Sequence, residues 1–293
     1  MKIAIYGQVY ENDTLDYVLV LLKECQLKAV EVFIEEELYV KLTELSEVEF
    51  YKTFSKKEGL DASFKMFVSF GGDGTILRAV TYVRDLGIPI VGVNTGRLGF
   101  LSTLKKEEVK RVVTDFLEGS YQIEERSLVE VQADFAIPEF KEYNFALNEV
   151  SISRKDTTSM ITVETYLNDE YLTSYWADGL IIATPTGSTG YSLSCGGPVI
   201  NPDVKSLVIT PIAPHNLNAR PLVISDDTVL RLKVYGREEQ HLVSLDSRIA
   251  SLDNEKEITV KKADFTVKMI AYNSESFLDT LRNKLLWGQD KRN

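Results

Sequence analysis

Through residues 2–117 the chain alternates between short apolar runs and segments whose apolar residues recur at helical spacing. Residues 2–6 read as a buried strand. Leu15, Val18, Leu21 and Leu22 then share one helical face, with Asp13 or Thr14 as the cap. Residues 30–34 return to strand, and residues 38–45 read as helix. Met66-Phe67-Val68-Ser69-Phe70 is a short apolar strand that runs directly into Gly71-Gly72-Asp73-Gly74-Thr75, with a helix expected over 76–86. Residues 89–93 give the next strand and 105–117 the next helix. Such alternation predicts a mostly parallel sheet covered by helices.

Around Tyr121 the period changes to two: Val129, Val131 and Ala133 alternate with Glu130 and Gln132. Strand-like runs dominate from there to Tyr272, so a second, largely β domain is expected. A last helix, residues 277–286, carries Leu281, Leu285 and Trp287 on or near one stripe and is expected to pack back on the first domain. The reading is therefore an α/β protein with an N-terminal mostly parallel α/β domain (1–124), a β-rich domain (125–272) and a returning C-terminal helix (273–293).

Composition narrows the function. A chain of 293 residues fits two domains, and 44% hydrophobic residues supply both cores. With 44 acidic against 33 basic residues the net charge is −11, which repels nucleic-acid backbones and anionic membranes at long range. Neither nucleic acid nor membrane is an expected partner. The same charge opposes a phosphorylated substrate, so a nucleotide site here needs local N–H groups, a helix N-terminus or Mg²⁺. Only Cys25 and Cys195 are present, too few for a disulfide framework or a zinc cluster, and a cytoplasmic setting is expected. The apolar stretch at residues 1–6 is too short for a signal sequence or a membrane span.

Two stretches carry chemistry. In the first, Gly71, Gly72 and Gly74 let the backbone turn sharply and approach a ligand, while the following helix aims its N–H groups at the turn. This is a phosphate cradle, yet it lacks the Gly-Lys-Ser/Thr of a Walker loop and the spacing of the dinucleotide fingerprint. A carboxylate inside it, Asp73, is unfavourable unless it accepts a hydroxyl proton or faces Mg²⁺; otherwise it serves the turn. The second stretch runs from Asp178-Gly179 through an apolar strand to Thr184-Pro185-Thr186-Gly187-Ser188-Thr189-Gly190-Tyr191-Ser192-Leu193-Ser194. Its hydroxyls and backbone donors suit ribose and phosphate. A serine-hydrolase elbow would need Gly at the Thr186 position.

Together these stretches resemble the NAD kinase family, whose signatures are Gly-Gly-Asp-Gly-Thr and Asp-Gly…Thr-Pro-Thr/Ser-Gly-Ser-Thr…Tyr-Ser, in this order. Asn94-Thr95-Gly96-Arg97-Leu98-Gly99-Phe100-Leu101, Asn148-Glu149, Pro214-His215…Arg220-Pro221-Leu222 and Leu285-Leu286-Trp287-Gly288 are similar to further stretches of that family. Gly-Gly-Asp-Gly alone also occurs in lipid kinases and phosphofructokinases. Many members carry Lys or Arg two residues before the Asp-Gly pair; Trp176 stands here and is expected to pack as core.

The resemblance implies transfer of a phosphoryl group from ATP to the 2′-hydroxyl of the adenosine ribose of NAD, giving NADP, with Mg²⁺ or another divalent cation accompanying ATP. It puts Asp73 in the proton-acceptor position and Gly74 and Arg78 against the nucleotide. Asn148 and Glu149 would hold ribose hydroxyls and Asp178 the nicotinamide side. Thr189, Gly190, Tyr191, Ser192, Leu193 and Ser194 would take the adenosine half, with Ala213 lining the pocket. A homodimer or homotetramer is implied. The alternatives are a lipid or sphingoid kinase of the same superfamily and an inert NAD-binding sensor.

Overall fold

The computed structural model describes residues 1–8, 13–45, 50–96, 99–102, 104–156, 159–216, 218–272 and 276–287. Arg97, Leu98 and Gly288, parts of two of the stretches above, lie outside the described residues. The chain forms two compact units, one from Met1–Glu125 with Val267–Asn293, the other from Arg126–Thr266.

The first unit begins β1 (Lys2–Gly7), α1 (Asp13–Leu27), β2 (Glu31–Glu35), α2 (Glu36–Leu45), β3 (Lys52–Phe54), β4 (Phe64–Phe70), α3 (Asp73–Val83), β5 (Ile90–Asn94), β6 (Leu104–Lys105) and α4 (Val112–Glu118). Its strands pair in parallel in the order β5-β4-β1-β2-β3. Side-chain alternation explains why both faces are covered. Ile3 and Ile5 pack with Leu21 and Leu22 of α1, Leu38 and Leu42 of α2, and Val112 and Val113 of α4. On the other face Tyr6 and Phe67 meet Tyr82 of α3, with ring centroids 4.9 and 6.2 Å away.

Two boundaries differ from the sequence reading. Residues 106–111 form a 3-10 helix (Lys106–Arg111) before α4, so the expected helix over 105–117 is split. Helix α3 starts at Asp73, three residues earlier than its apolar stripe, which makes Asp73 its first residue. A stripe locates the buried face and not the cap.

The second unit holds β7 (Gln122–Gln132), begun in the first, then β8 (Phe145–Ala146), β9 (Glu149–Arg154), β10 (Ile161–Leu167), β11 (Glu170–Ala177), β12 (Gly179–Ala183), α5 (Tyr191–Ser194), β13 (Ser206–Ile212), β14 (Leu222–Ser225), β15 (Leu230–Tyr235), β16 (Gln240–Leu245) and β17 (Arg248–Asp253). Strand β18 (Glu257–Ala271) follows and ends in the first unit. Six strands form an antiparallel sheet in the order β14-β13-β12-β9-β16-β17, while β11, β10, β15 and the start of β18 pair antiparallel in sequence. Val150, Ile152, Leu180, Ile182, Val243 and Leu245 of the first set share one core with Val163, Leu230, Leu232, Val234 and Ile258 of the second. This is a sandwich of two sheets. Strand β12 is buried at all five residues because its other face is covered too: Ile181 and Ala183 lie against Val208 and Ile200.

Met269 of β18 then pairs with Ile90, and α6 (Phe277–Leu285) closes the first unit. Ser276 caps α6 by accepting the Asp279 N–H at 3.1 Å. Phe277 packs on Phe100, ring centroids 6.1 Å apart, so the helix does return to the N-terminal unit. Leu281 is buried, but Trp287 is 58% exposed, which corrects its expected place on the packed stripe. Leu286, in the left-handed conformation (φ 52°), ends the helix and turns the chain away before Trp287.

Candidate functional site

At the corner between β4 and α3 the backbone does what the glycines allow. Gly71 has φ +147°, and a side chain there would strike Thr75. Its N–H donates to Val93 O of β5 at 2.9 Å. Gly72 caps α3 in an extended conformation, and a Cβ on Gly72 or Gly74 would meet no atom within 4 Å. That face of the corner is open. Arg78, further along α3, is exposed.

The Asp73 carboxylate is held from one side. Oδ2 accepts the Phe100 N–H at 2.8 Å, and Oδ1 accepts those of Leu101 and Ser102, both at 3.0 Å. The Ser102 hydroxyl donates to Gly71 O at 2.9 Å, and Asn94 Nδ2 donates to Ser102 O at 3.2 Å, so β5, residues 99–102 and the corner are tied together. Lys284 of α6 brings its ammonium to 3.8 Å from Asp73 Oδ2 and lies over the Phe100 ring. A carboxylate with three N–H partners and a cation nearby is fixed in direction, and its charge is offset where phosphate would approach.

In the second unit Leu147, Asn148 and Glu149 lead into β9. The Asp246 carboxylate accepts all three of their N–H groups, at 2.9, 2.9 and 3.2 Å. The Asp246 N–H returns a bond to Glu149 O at 3.1 Å. Thr184, after β12, donates its hydroxyl to Leu147 O at 2.6 Å and accepts the Gly187 N–H at 3.1 Å. Gly187 lies so close to Asn148 that any Cβ would strike its backbone. A Cβ on Gly190 would come within 3.2 Å of Glu149 Oε2 and 3.5 Å of Asn148 Nδ2. Asn148, Glu149, Gly190 and Tyr191 are thus one cluster.

Two polar atoms in that cluster, Asn148 Oδ1 and Glu149 Oε2, are shielded from solvent and have no hydrogen-bond partner within the protein. Burial, reinforced by the Asp246 charge, pushes the Glu149 carboxyl up to about 8, while the Tyr191 N–H works the other way. Burial also raises the Asp246 carboxyl, but its three backbone N–H groups and Arg248 oppose that. Three backbone N–H groups and Arg248 favour the ionised form of Asp246, whereas Glu149, pushed up to about 8, keeps its proton at neutral pH. Such orphaned atoms are costly unless a ligand pairs with them.

The remaining predicted residues fall in three settings. Asp178 is ion-paired to Arg154 at 3.1 Å, with both side chains partly exposed, and its charge reaches the phenol of Tyr191. Thr189, Gly190 and Leu193 are partly exposed, while Tyr191, Ser194 and Ala213 are exposed, with Ala213 at φ 43°. Ser192 is buried, its hydroxyl 2.7 Å from that of Thr210, so it ties the 191–194 turn to β13. Trp176 is 47% exposed and packs on His215 with tilted rings whose centroids lie 4.4 Å apart, which corrects its expected place in the core. In β11 it follows the buried Tyr175, and alternation turns it outward.

Sequence reasoning missed Asp246 and Arg154, and gave Thr184, inside the second stretch, no role of its own. Asp246 carried a usable signal: Asp246-Ser247 is a two-residue connection between the alternating strands β16 and β17, with Asp246 at φ 53° as such a hairpin requires. Among the described residues no group of three His, Cys, Asp or Glu is arranged to hold a metal, and no helix is long and apolar enough to cross a membrane.

Residues 6–121 match the ATP-NAD kinase N-terminal domain and residues 147–272 the ATP-NAD kinase C-terminal domain. The NAD kinase of Flavobacterium johnsoniae is 58% identical over 294 residues, covering 100% of both chains. That of Bacteroides fragilis is 40% identical, again over 100% of both. The crystal structure of yeast NADH kinase complexed with NADH matches with a TM-score of 0.86 over 99% of this chain and 89% of that one; at 22% identity it bears on the fold alone. An NAD kinase from Archaeoglobus fulgidus in complex with ATP matches with a TM-score of 0.74 and 26% identity, over 98% and 99%.

Proposed function

The chain belongs to the NAD kinase family, and from that premise we propose that Asp73 takes the proton of the attacking ribose hydroxyl. The reaction is phosphoryl transfer from ATP to the 2′-hydroxyl of the adenosine ribose of NAD, giving NADP. One observation carries the assignment: the carboxylate is aimed by three backbone N–H groups at a corner whose Gly72 and Gly74 face is open. Oδ2 takes one of those donors and Oδ1 two, so Oδ2 is the oxygen with a lone pair to spare for a hydroxyl proton.

The charge that develops on the migrating phosphoryl oxygens meets the first N–H groups of α3, which need no reorganisation to receive it. Gly74, without a side chain, lets the nucleotide approach, and Arg78 contacts it from the exposed side. Asn148 and Glu149 hold ribose hydroxyls, Asp178 the nicotinamide side, and residues 189–194 the adenosine half, with Ala213 lining the pocket. A divalent cation fits as the companion of the donor's phosphates, since Mg²⁺ is held largely by phosphate and water with few protein ligands. When bound it supplies positive charge to those phosphates. The chain works as a homodimer or homotetramer through exposed faces of the β unit, where Leu222 and Val223 stand on the edge strand β14. Two unpaired cysteines, Cys25 and Cys195, suit a reducing cytoplasm.

Asp73→Asn tests the base. NADP formation is expected to fall on the order of 10²-fold or more in turnover, with NAD affinity little changed. Near wild-type turnover in a variant that melts like the parent sinks the assignment.

A further inference from the structure

Asp246 gives up its hydrogen-bonding capacity to three consecutive backbone N–H groups, those of Leu147, Asn148 and Glu149, from a position about 100 residues further along the chain. Its own N–H closes the loop on Glu149 O. Arg248, two residues on, donates from Nη1 to Tyr143 O at 2.6 Å and from Nη2 to Phe145 O, fixing the approach to the same segment. So many bonds from one hairpin onto one short stretch leave its backbone a single conformation. Directly on that stretch sit the two shielded oxygens without a protein donor, Asn148 Oδ1 and Glu149 Oε2.

Resting on the ribose role given above to Asn148 and Glu149, we propose that Asp246 is a positioning residue for the acceptor dinucleotide. It holds the 147–149 backbone so that the amide oxygen of Asn148 and the carboxyl of Glu149 are kept free for a vicinal diol. The bonds of Asp246 run to backbone atoms, so its effect reaches the ligand through Asn148 and Glu149. Its charge acts as well. The titratable and charged groups set against Glu149 are Asp246 on the β16–β17 hairpin, itself facing Arg248, and Tyr191 and Cys195 after β12. Burial, with the Asp246 charge adding to it, keeps the proton on Glu149, which then offers one donor and one acceptor to the two hydroxyls.

The test is steady-state kinetics of Asp246→Asn and Glu149→Gln in the full chain with ATP, across pH 6 to 9.5. For Asp246→Asn the KM for NAD is expected to rise on the order of tenfold while the KM for ATP holds within about twofold. Its pH dependence of KM for NAD is expected to move to lower pH, because the charge that adds to burial in raising Glu149 is gone. Scaffolding alone would not move that profile. An unchanged KM and profile in a folded Asp246→Asn overturns the proposal. An unchanged KM for NAD in Glu149→Gln overturns the ribose reading itself, which separates the two failures. Amide hydrogen exchange of the unliganded parent protein gives a measurement that needs no variant: protection at Asn148 and Glu149 is expected, and free exchange there overturns the positioning role.

Discussion

Gly99 lies directly against Asp73: a methyl group on its α-carbon would overlap both carboxylate oxygens. No side chain is compatible with the present geometry, so this glycine serves close approach and not a special φ. Gly99→Ala must push Asp73 aside or lift residues 99–102, which donate three N–H groups to it. Displacement of about 1 Å at reacting groups costs on the order of 10²-fold, and that is the loss of turnover expected. An assay of NADP formation checks it; parent-like turnover would mean that the direction of the carboxylate is immaterial.

Glu149 links function to alkaline stability. Its folded-state value, about 8, lies above the ordinary 4.5. The folded protein therefore binds this proton more tightly than the unfolded chain, and the associated stability is complete below 4.5 and lost as pH rises through about 8. Glu149→Gln has no such dependence. Thermal melts at pH 6 and pH 9 are expected to show the parent losing Tm with pH and the variant losing less, a difference of at least about 2 °C. Equal slopes would refute the strained carboxyl.

His241 predicts the opposite limb. It is buried, with Nδ1 3.0 Å from Asn254 Oδ1, and burial holds it below its ordinary 6.5. A base depressed in the folded state favours unfolding once protons are available: stability is complete above 6.5 and declines as pH falls below it. His241→Gln is expected to flatten the acid side of a Tm–pH curve between pH 7 and pH 5. A curve of unchanged steepness would assign the acid loss to other groups.

Thr184 is buried, and its hydroxyl serves two backbone atoms, Leu147 O and Gly187 N. Thr184→Val keeps the shape and leaves a donor and an acceptor unpaired, at about 1–3 kcal/mol for each group. Denaturant unfolding should give a loss of about 2–6 kcal/mol for the two groups together, with a raised KM for NAD because Leu147 borders Asn148. A loss below about 0.5 kcal/mol would show that water or a shift of the turn replaces both bonds.

What the sequence reveals and what it conceals divide along sequence distance. The strand, glycine turn and helix around Asp73 are contiguous, so period and turn chemistry place them without knowledge of the rest. The partners of Asp73 are less legible: Phe100, Leu101 and Ser102 act through backbone N–H groups, which every residue has. Asp246 was hidden because its three acceptor bonds span about a hundred residues and depend on β9 and β16 pairing as neighbours in one sheet. Arg154 and Asp178 pair for the same reason, as neighbours across β9 and β12. Trp176 shows the reverse error. Its size suggested the core, whereas its parity in β11 put it outside with His215. In a strand, position modulo two outweighs hydrophobicity.

The first unit is assembled from both ends of the chain, while residues 126–266 run without interruption. On the ribosome the β sandwich can therefore be finished while β5 still waits for Met269 to pair with Ile90 and for the Tyr272 hydroxyl to reach Val112 O. Until Met269 emerges, β5 lacks a neighbour at Ile90 on the side away from β4, the state in which a nascent chain is most exposed to mispairing. Damage to the segment that carries Met269 and Tyr272 is thus felt in the unit built from residues 1–125.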